Sequence, residues 1–296
     1  MDLATFLIQC LNALQYGLLL FLVASGLTLI FGIMGVINLA HGSFYMIGAY
    51  MAYALAPFVA GTLGGGFFAV LIVGTVLAVL LGYVLEWAFF SFLYRREHLQ
   101  QVLMTYGLIL VFEELRSLLV GDDVHGVEPP AVLAGSLPLG DVMTYPVYRL
   151  FISAVCLALA LGMYLVFTRT RLGMTIRAGS TGVAQREMVQ SLGIDIKFLY
   201  RVVFAAGVAI AVFAGMVAAP VSSVYPGMGN TVLIVCFVVV VIGGIGSIRG
   251  ALVASLLIGA VDTFGKVLLP QAAGVLVYVL MALILLWKPD GLFKAG

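Results

Sequence analysis

Apolar residues run in stretches long enough to cross a lipid bilayer at about 6–31, 43–60, 67–93, 101–120, 146–168, 202–220, 231–247, 251–269 and 272–287. A crossing helix needs roughly 20 predominantly apolar residues, so the pattern predicts an all-α, polytopic transmembrane bundle with about nine crossings. Glycines interrupt the first two stretches and the pair joined by "GGIGSIRG", which leaves the count at eight or nine. Of the 296 residues, 64% are hydrophobic and 9% charged, whereas a soluble domain carries about 25% charged residues. One water-soluble core cannot hide this much apolar surface, so the solvent is lipid. The formal net charge of +1 argues against a nucleic-acid partner, which would call for a basic surface.

The termini and cysteines add little. Residues 1–5 lack Lys and Arg, and the apolar stretch after them is longer than a signal-peptide core, so a retained first helix is expected. Cys10, Cys156 and Cys236 sit in apolar surroundings without C-x-x-C spacing, which reads as packing rather than disulfide or metal chemistry.

Basic residues orient the crossings. Arg95 and Arg96 follow the third stretch, and Arg169, Arg171, Arg177, Arg186, Lys197 and Arg201 fill the segment after the fifth. Arg249 follows the seventh, and Lys288 and Lys294 follow the last. If the chain alternates, all these loops share one side, the cytoplasm. The opposite loop, 121–145, has no Lys or Arg and holds Asp122, Asp123, Glu128 and Asp141. The N-terminus is then outside and the C-terminus cytoplasmic.

Only one cytoplasmic segment is long, 169–201. Its sequence predicts a helix from about 182 to 192, with Ser180 or Thr181 to cap its free N–H groups and Gly193 to supply the left-handed turn that ends it. Met188, Val189 and Leu192 make a short apolar patch beside Arg186 and Glu187. Two readings fit: an interfacial helix lying on lipid, or a docking helix for a cytoplasmic partner.

Soluble-enzyme signatures are missing: there is no G-x-x-x-x-G-K-[ST], H-E-x-x-H or G-x-S-x-G. The chain therefore cannot bind ATP through a P-loop of its own. "GIGSIRG", with Gly243, Gly244 and Gly246, reads as small residues that let helices pack closely or hinge, and Gly207, Ala211 and Gly215 repeat that spacing. Polar groups at membrane depth are few. Glu113 and Arg116 can pair at i,i+3 and Asp262 and Lys266 at i,i+4, while Glu86 reads as locally satisfied or reaching toward the cytoplasmic edge. No chain of such groups crosses the bilayer, which lowers the case for a proton-coupled carrier.

The stretch "GVINLAHGSFYMIGAY" places Asn38, His41 and Ser43 where Gly35 and Gly42 loosen the helix. Broken helices expose backbone groups that are tolerated only against protein or a water-filled cavity. The three side chains either satisfy that backbone or line a solute path, and both can hold together. Shifting 32–49 by 211 positions sets Gly32, Gly35, Gly48 and Ala49 opposite Gly243, Gly246, Gly259 and Ala260. Gly-interrupted segments in corresponding places point toward a transport site.

"GLTLIFGIMGVINLAHGSFYMIGAY" resembles the N-terminal signature of the H-type Liv permeases, subunits of branched-chain amino acid ABC importers. "RLGMTIRA…QREMVQSLGID" is similar to their cytoplasmic coupling segment, and "SVYPGMG", "VVVVIGGIGSIRGALVASLLIG" and "KPDGLF" fit as well. The resemblance spans about residues 17–293. It implies a single permease domain over 1–296, including coupling segment 169–201, with a fold similar to the vitamin B12 importer permease. That fold contains inverted halves, whereas the 211-residue shift relates segments of one orientation. The resemblance also implies a bacterial inner-membrane subunit beside a second, related permease as a heterodimer. Two cytoplasmic ATP-binding subunits would carry ATP and Mg, leaving no cofactor on this chain, and a periplasmic solute-binding protein would deliver the solute. Glu187 and Gly193 match the Glu-to-Gly spacing of importer coupling loops, which favours the docking reading for Arg186, Glu187, Met188, Leu192 and Gly193. Gln185 stands where the family often has Asp. The implied solutes are branched-chain or other small amino acids; the competing class is a self-sufficient channel or carrier for an amide, urea or organic acid.

Overall fold

In hydrocarbon no water is available to backbone N–H and C=O groups, so an apolar chain closes these bonds within helices. The computed structural model describes residues 3–63, 66–138, 144–170, 173–174 and 195–293. Among them run nine α-helices: α1 (Leu3–Met34), α2 (His41–Leu63), α3 (Phe67–Ala88), α4 (His98–Val120), α5 (Val147–Arg169), α6 (Ile196–Ala218), α7 (Met228–Gly243), α8 (Ile248–Leu268) and α9 (Ala273–Trp287). The only strands among the described residues are β1 (Ser136–Pro138) and β2 (Thr144–Pro146), an antiparallel pair with Leu137 opposite Tyr145. The expected helical bundle is thus observed, with one small hairpin added.

Six helices, α1, α2, α3, α5, α6 and α8, are long and apolar enough to cross a membrane. The helices α7 and α9 have 16 and 15 residues, about 24 and 22 Å at 1.5 Å per residue, short of the ~30 Å hydrocarbon core. The α4 helix carries Glu113, Glu114 and Arg116 in its second half. The stretch 67–93 is not one helix: α3 stops at Ala88, and a 3₁₀ helix covers Phe90–Arg95. The turn carries Phe90 into the core, where its ring centroid lies 4.3 Å from that of Phe204.

Local chemistry sets the helix ends. Asp195 caps α6, accepting from the N–H groups of Lys197 and Phe198 at 2.9 and 3.2 Å. Ser247 caps α8 through Gly250 N–H at 3.1 Å. Such a cap contributes about 1 kcal/mol.

The α6 helix occupies the middle, and small residues let its neighbours come close. A Cβ at Gly207 would lie 3.1 Å from Gly26 O on α1. One at Gly48 would strike Val212 O, and one at Gly82 would lie 2.7 Å from Ala205 Cα. Phe204, Val208, Ala211, Val212 and Met216 are fully buried in the resulting core. The outer helices turn large apolar side chains outward: Ile72, Val76 and Leu80 on α3, Leu157 and Leu161 on α5, Leu283 and Leu286 on α9. Water would penalise such a surface; a lipid or protein surround does not. Cys156 and Cys236 are buried and Cys10 half-buried, all as free thiols.

Candidate functional site

The first break lies between α1 and α2. Gly35 takes φ +68°, a left-handed conformation available to glycine, and its N–H closes on Phe31 O at 2.9 Å. The chain then folds back along α1. His41 Nε2 lies 2.9 Å from Val23 O, well before α1 ends at Met34, so α2 begins beside the middle of α1. A carbonyl only accepts, so Nε2 is assigned the proton, which makes Nδ1 of the neutral ring an acceptor. Among the described residues Nδ1 has no partner, and neither does Asn38 Nδ2. Asn38 Oδ1 accepts from Ala40 N–H at 3.1 Å. Asn38 and His41 are fully buried and Ser43 nearly so. Part of the Asn38 and His41 side chains therefore serves the backbone, and the rest leaves one buried donor and one buried acceptor open to a small polar ligand or water.

Gly42 sits where two helix starts meet. A Cβ there would strike Gly229 O and lie 2.7 Å from Leu233 Cβ. The first turns of α2 and α7 thus touch backbone to backbone. Their positive dipole ends occupy one neighbourhood, with the N–H groups of Ser43 and Phe44 closing on Ala40 O and those of Met228 and Asn230 on Tyr225 O and Gly227 O.

The second break, between α7 and α8, packs against the first. Gly244 and Gly246 take φ +96° and +79°. A Cβ at Gly243 would lie 2.5 Å from Gly250 C, and one at Gly32 would lie 2.7 Å from Gly246 Cα. Under the 211-residue shift, left-handed Gly35 falls on left-handed Gly246. The "KPDGLF" segment closes this corner: Leu292 N–H donates to Ile242 O at 2.8 Å and Phe293 N–H to Gly243 O at 3.2 Å. Those bonds satisfy carbonyls that the end of α7 would otherwise leave open.

Several charged side chains find partners. Arg116 bonds Glu113 at 3.2 Å, as the i,i+3 spacing predicts, and also Asp122 at 2.7 Å. The Arg116 bond, joined by Ser117, holds the Asp122 carboxyl below its ordinary value. Lys266 and Asp262 pair at 2.6 Å along α8. Glu86 departs from expectation. Its partner is not local: Arg201, on α6, lies 3.1 Å from Oε2, and Tyr94 O–H donates to Oε1.

Two cavities flank these elements. One of about 60 Å³ lies among Tyr16, Val23, Tyr45, Thr231, Val232 and Val235, where α1, α2 and α7 meet. It is far below the roughly 300–1,000 Å³ of typical ligand sites. The other, about 400 Å³, lies between α2, α3 and the 126–130 loop, with Tyr53 and Glu128 among its lining residues. Tyr53 stacks on His125 at 4.1 Å, and His125 exchanges backbone hydrogen bonds with Val224 at 2.9 Å. Sequence reasoning missed Tyr16, Tyr45 and Thr231, which lie on three helices with no local pattern linking them. Only "PGMG" hinted at the start of α7. Arg186, Glu187, Met188, Leu192 and Gly193 lie outside the described residues, so the docking-helix expectation has no geometry to meet.

Comparison with known proteins bears on the whole chain. The family described as "Branched-chain amino acid transport system / permease component" matches residues 9–286. The high-affinity branched-chain amino acid transport system permease protein BraD of Pseudomonas aeruginosa is 28% identical over 299 residues, covering 97% of this chain and 95% of the relative. LivH of Escherichia coli K12, which bears the same description, is 28% identical over 298 residues with the same coverage. The probable branched-chain amino acid transport permease protein LivH of Methanocaldococcus jannaschii is 26% identical over 308 residues, with 95% and 90% covered. No solved structure matches the chain.

Proposed function

Because the chain belongs to the family of branched-chain amino acid transport permease components, we propose that it is one permease subunit of an ATP-driven ABC importer for branched-chain or other small amino acids. The family match across 9–286 carries this reading. In it, the chain is a single permease domain that crosses a bacterial inner membrane about nine times, eight or nine in all, with the N-terminus outside, in the manner of the vitamin B12 importer permease. The basic residues after α3, α5, α7 and α9, set against the acidic 121–145 loop, support that orientation. A second, related permease completes the path. Two cytoplasmic ATP-binding subunits, with ATP and Mg, dock on the 182–193 helix through Arg186, Glu187, Met188, Leu192 and Gly193. A periplasmic binding protein brings the solute.

The solute path runs past the buried break. Asn38 Nδ2 and His41 Nδ1 supply a donor and an acceptor, and the starts of α2 and α7 supply a positive end that suits a carboxylate. The apolar walls of α1 and α7 suit an aliphatic side chain. The 60 Å³ cavity is too small for an amino acid, so this conformation is a closed one. Transport requires α2 and α7 to part. Gly244 and Gly246 are the hinge at the far end of α7, and Gly243 is the packing contact beside it.

The test is uptake into proteoliposomes, using labelled leucine and then a panel of small amino acids, amides and urea. Uptake that requires the partner permease, ATPases, binding protein and ATP supports the importer. Uptake by this chain alone without ATP would replace it with a channel or carrier.

A further inference from the structure

We propose that Glu86 and Arg201 are positioning residues for transport, tying α3, the 90–95 3₁₀ helix and α4 to the base of α6 so that these elements move as one body. The inference rests on the importer reading, since the motion it transmits enters through the 169–201 segment that ends on α6.

Glu86 is 1% exposed, yet its carboxylate has two donors: Arg201 Nε at 3.1 Å and Tyr94 O–H. Burying a carboxylate is costly and is tolerated only with such pairing. Adhesion does not call for the pair. The α3 and α6 helices already meet through the Gly82–Ala205 contact, and an apolar pair would pack there at no loss. What a directional ion pair adds is register: a smooth small-residue contact lets two helices slide, whereas Glu86–Arg201 fixes one position.

The surroundings extend that lock. The Tyr94 and Tyr200 ring centroids lie 5.0 Å apart and those of Phe90 and Phe204 4.3 Å apart, both joining the 3₁₀ helix to α6. Gln101 Nε2 donates to Leu93 O and Arg96 O at 3.2 Å, tying the first turn of α4 to the same piece. Arg201 follows shortly after Asp195, the cap of α6. Farther along α6, Gly207 packs against Gly26, beside the His41 ring. A displacement entering at Asp195 therefore moves α6 together with α3 and α4 and reaches the buried break. Without the pair, α6 slips against α3 and part of the stroke is lost.

The experiment uses the assembled complex in proteoliposomes and measures ATP hydrolysis and solute uptake together. For Glu86→Gln we expect hydrolysis to be retained and solute moved per ATP to fall roughly 2- to 30-fold, the span of mutational effects on coupling. Arg201→Lys keeps the charge and is expected to fall between Glu86→Gln and wild type. A wild-type ratio in both variants overturns the proposal, as does a fall of uptake and hydrolysis by one common factor. If Glu86→Gln fails to assemble, Arg201→Lys decides alone, because it keeps both charges while changing the geometry of the pair. A lowered ratio supports the proposal and an unchanged one overturns it. A wild-type complex without ATP-driven uptake would sink the importer reading itself, an outcome separate from these.

Discussion

The meeting of α2 and α7 can be tested with one methyl group. In Gly42→Ala the new Cβ would strike Gly229 O, well inside the 3.0 Å beyond which real Cβ contacts stay. The helices must therefore part. The obstacle is a backbone carbonyl with Leu233 Cβ beside it, so no side chain can swing aside. Overpacking of this kind costs typically 1–3 kcal/mol, and a rigid backbone obstacle puts it near the upper end, ~3 kcal/mol. Alanine's better helix propensity returns about 1 kcal/mol. The net loss is about 2 kcal/mol, or roughly 4–8 °C in Tm at 2–4 °C per kcal/mol. Gly162→Ala on α5 is the control. Nothing lies within 4 Å of its added Cβ, so only the propensity gain of about 1 kcal/mol remains and Tm should hold or rise. The assay is thermal unfolding in detergent at one scan rate, because such transitions are often irreversible. Gly42→Ala melting at or above wild type would refute the close approach of the two helix starts.

His41→Ala removes the donor to Val23 O and leaves a cavity, and is expected to cost about 2–4 kcal/mol from the unpaired carbonyl and lost packing together, read as Tm. Glu187→Arg is expected to abolish uptake driven by co-expressed ATPases without lowering Tm, and full uptake would remove the docking assignment. Asp122 is held below its ordinary value chiefly by its bond to Arg116. A lowered carboxyl contributes stability that is present above the unfolded-chain value of about 4 and is lost as pH falls through the lower folded value. The Tm difference between wild type and Asp122→Asn should thus be flat from about pH 6 to 8 and close only below about pH 4; a difference that varies across neutral pH would refute the Arg116 pairing.

Much of the bundle was legible because lipid leaves a chain few options. Stretches such as 146–168 and 251–269 reappear within a residue or a few as α5 and α8. Short-range pairs were also legible: Glu113–Arg116 and Asp262–Lys266 follow from helical spacing alone. The stretch 67–93 was misjudged because hydropathy does not register the tertiary demand that turns Phe90 inward. Glu86 was read as local because its partner stands 115 residues away, and no periodicity reports such a distance. "NLAHG" announced itself by polarity. That α2 starts beside Val23 instead of beyond Met34 depends on the fold-back after Gly35, which one glycine among 35 does not foretell.

The glycines explain how a chain with so few charges can still be specific. In hydrocarbon, apolar side chains gain little by preferring one another over lipid, so association depends on close van der Waals fit and directed hydrogen bonds. Gly26, Gly48 and Gly82 bring α1, α2 and α3 within backbone contact of α6. Contacts so close have few alternatives, since a slip of one residue would set a Cβ against a carbonyl. Where freedom is needed the pattern changes: Gly35, Gly244 and Gly246 bend the backbone at left-handed φ instead of packing within a helix. One residue type thus fixes the helices around α6 and articulates the ends of α1 and α7. Replacing a glycine of the first kind should act on assembly, and one of the second kind on the opening between α2 and α7.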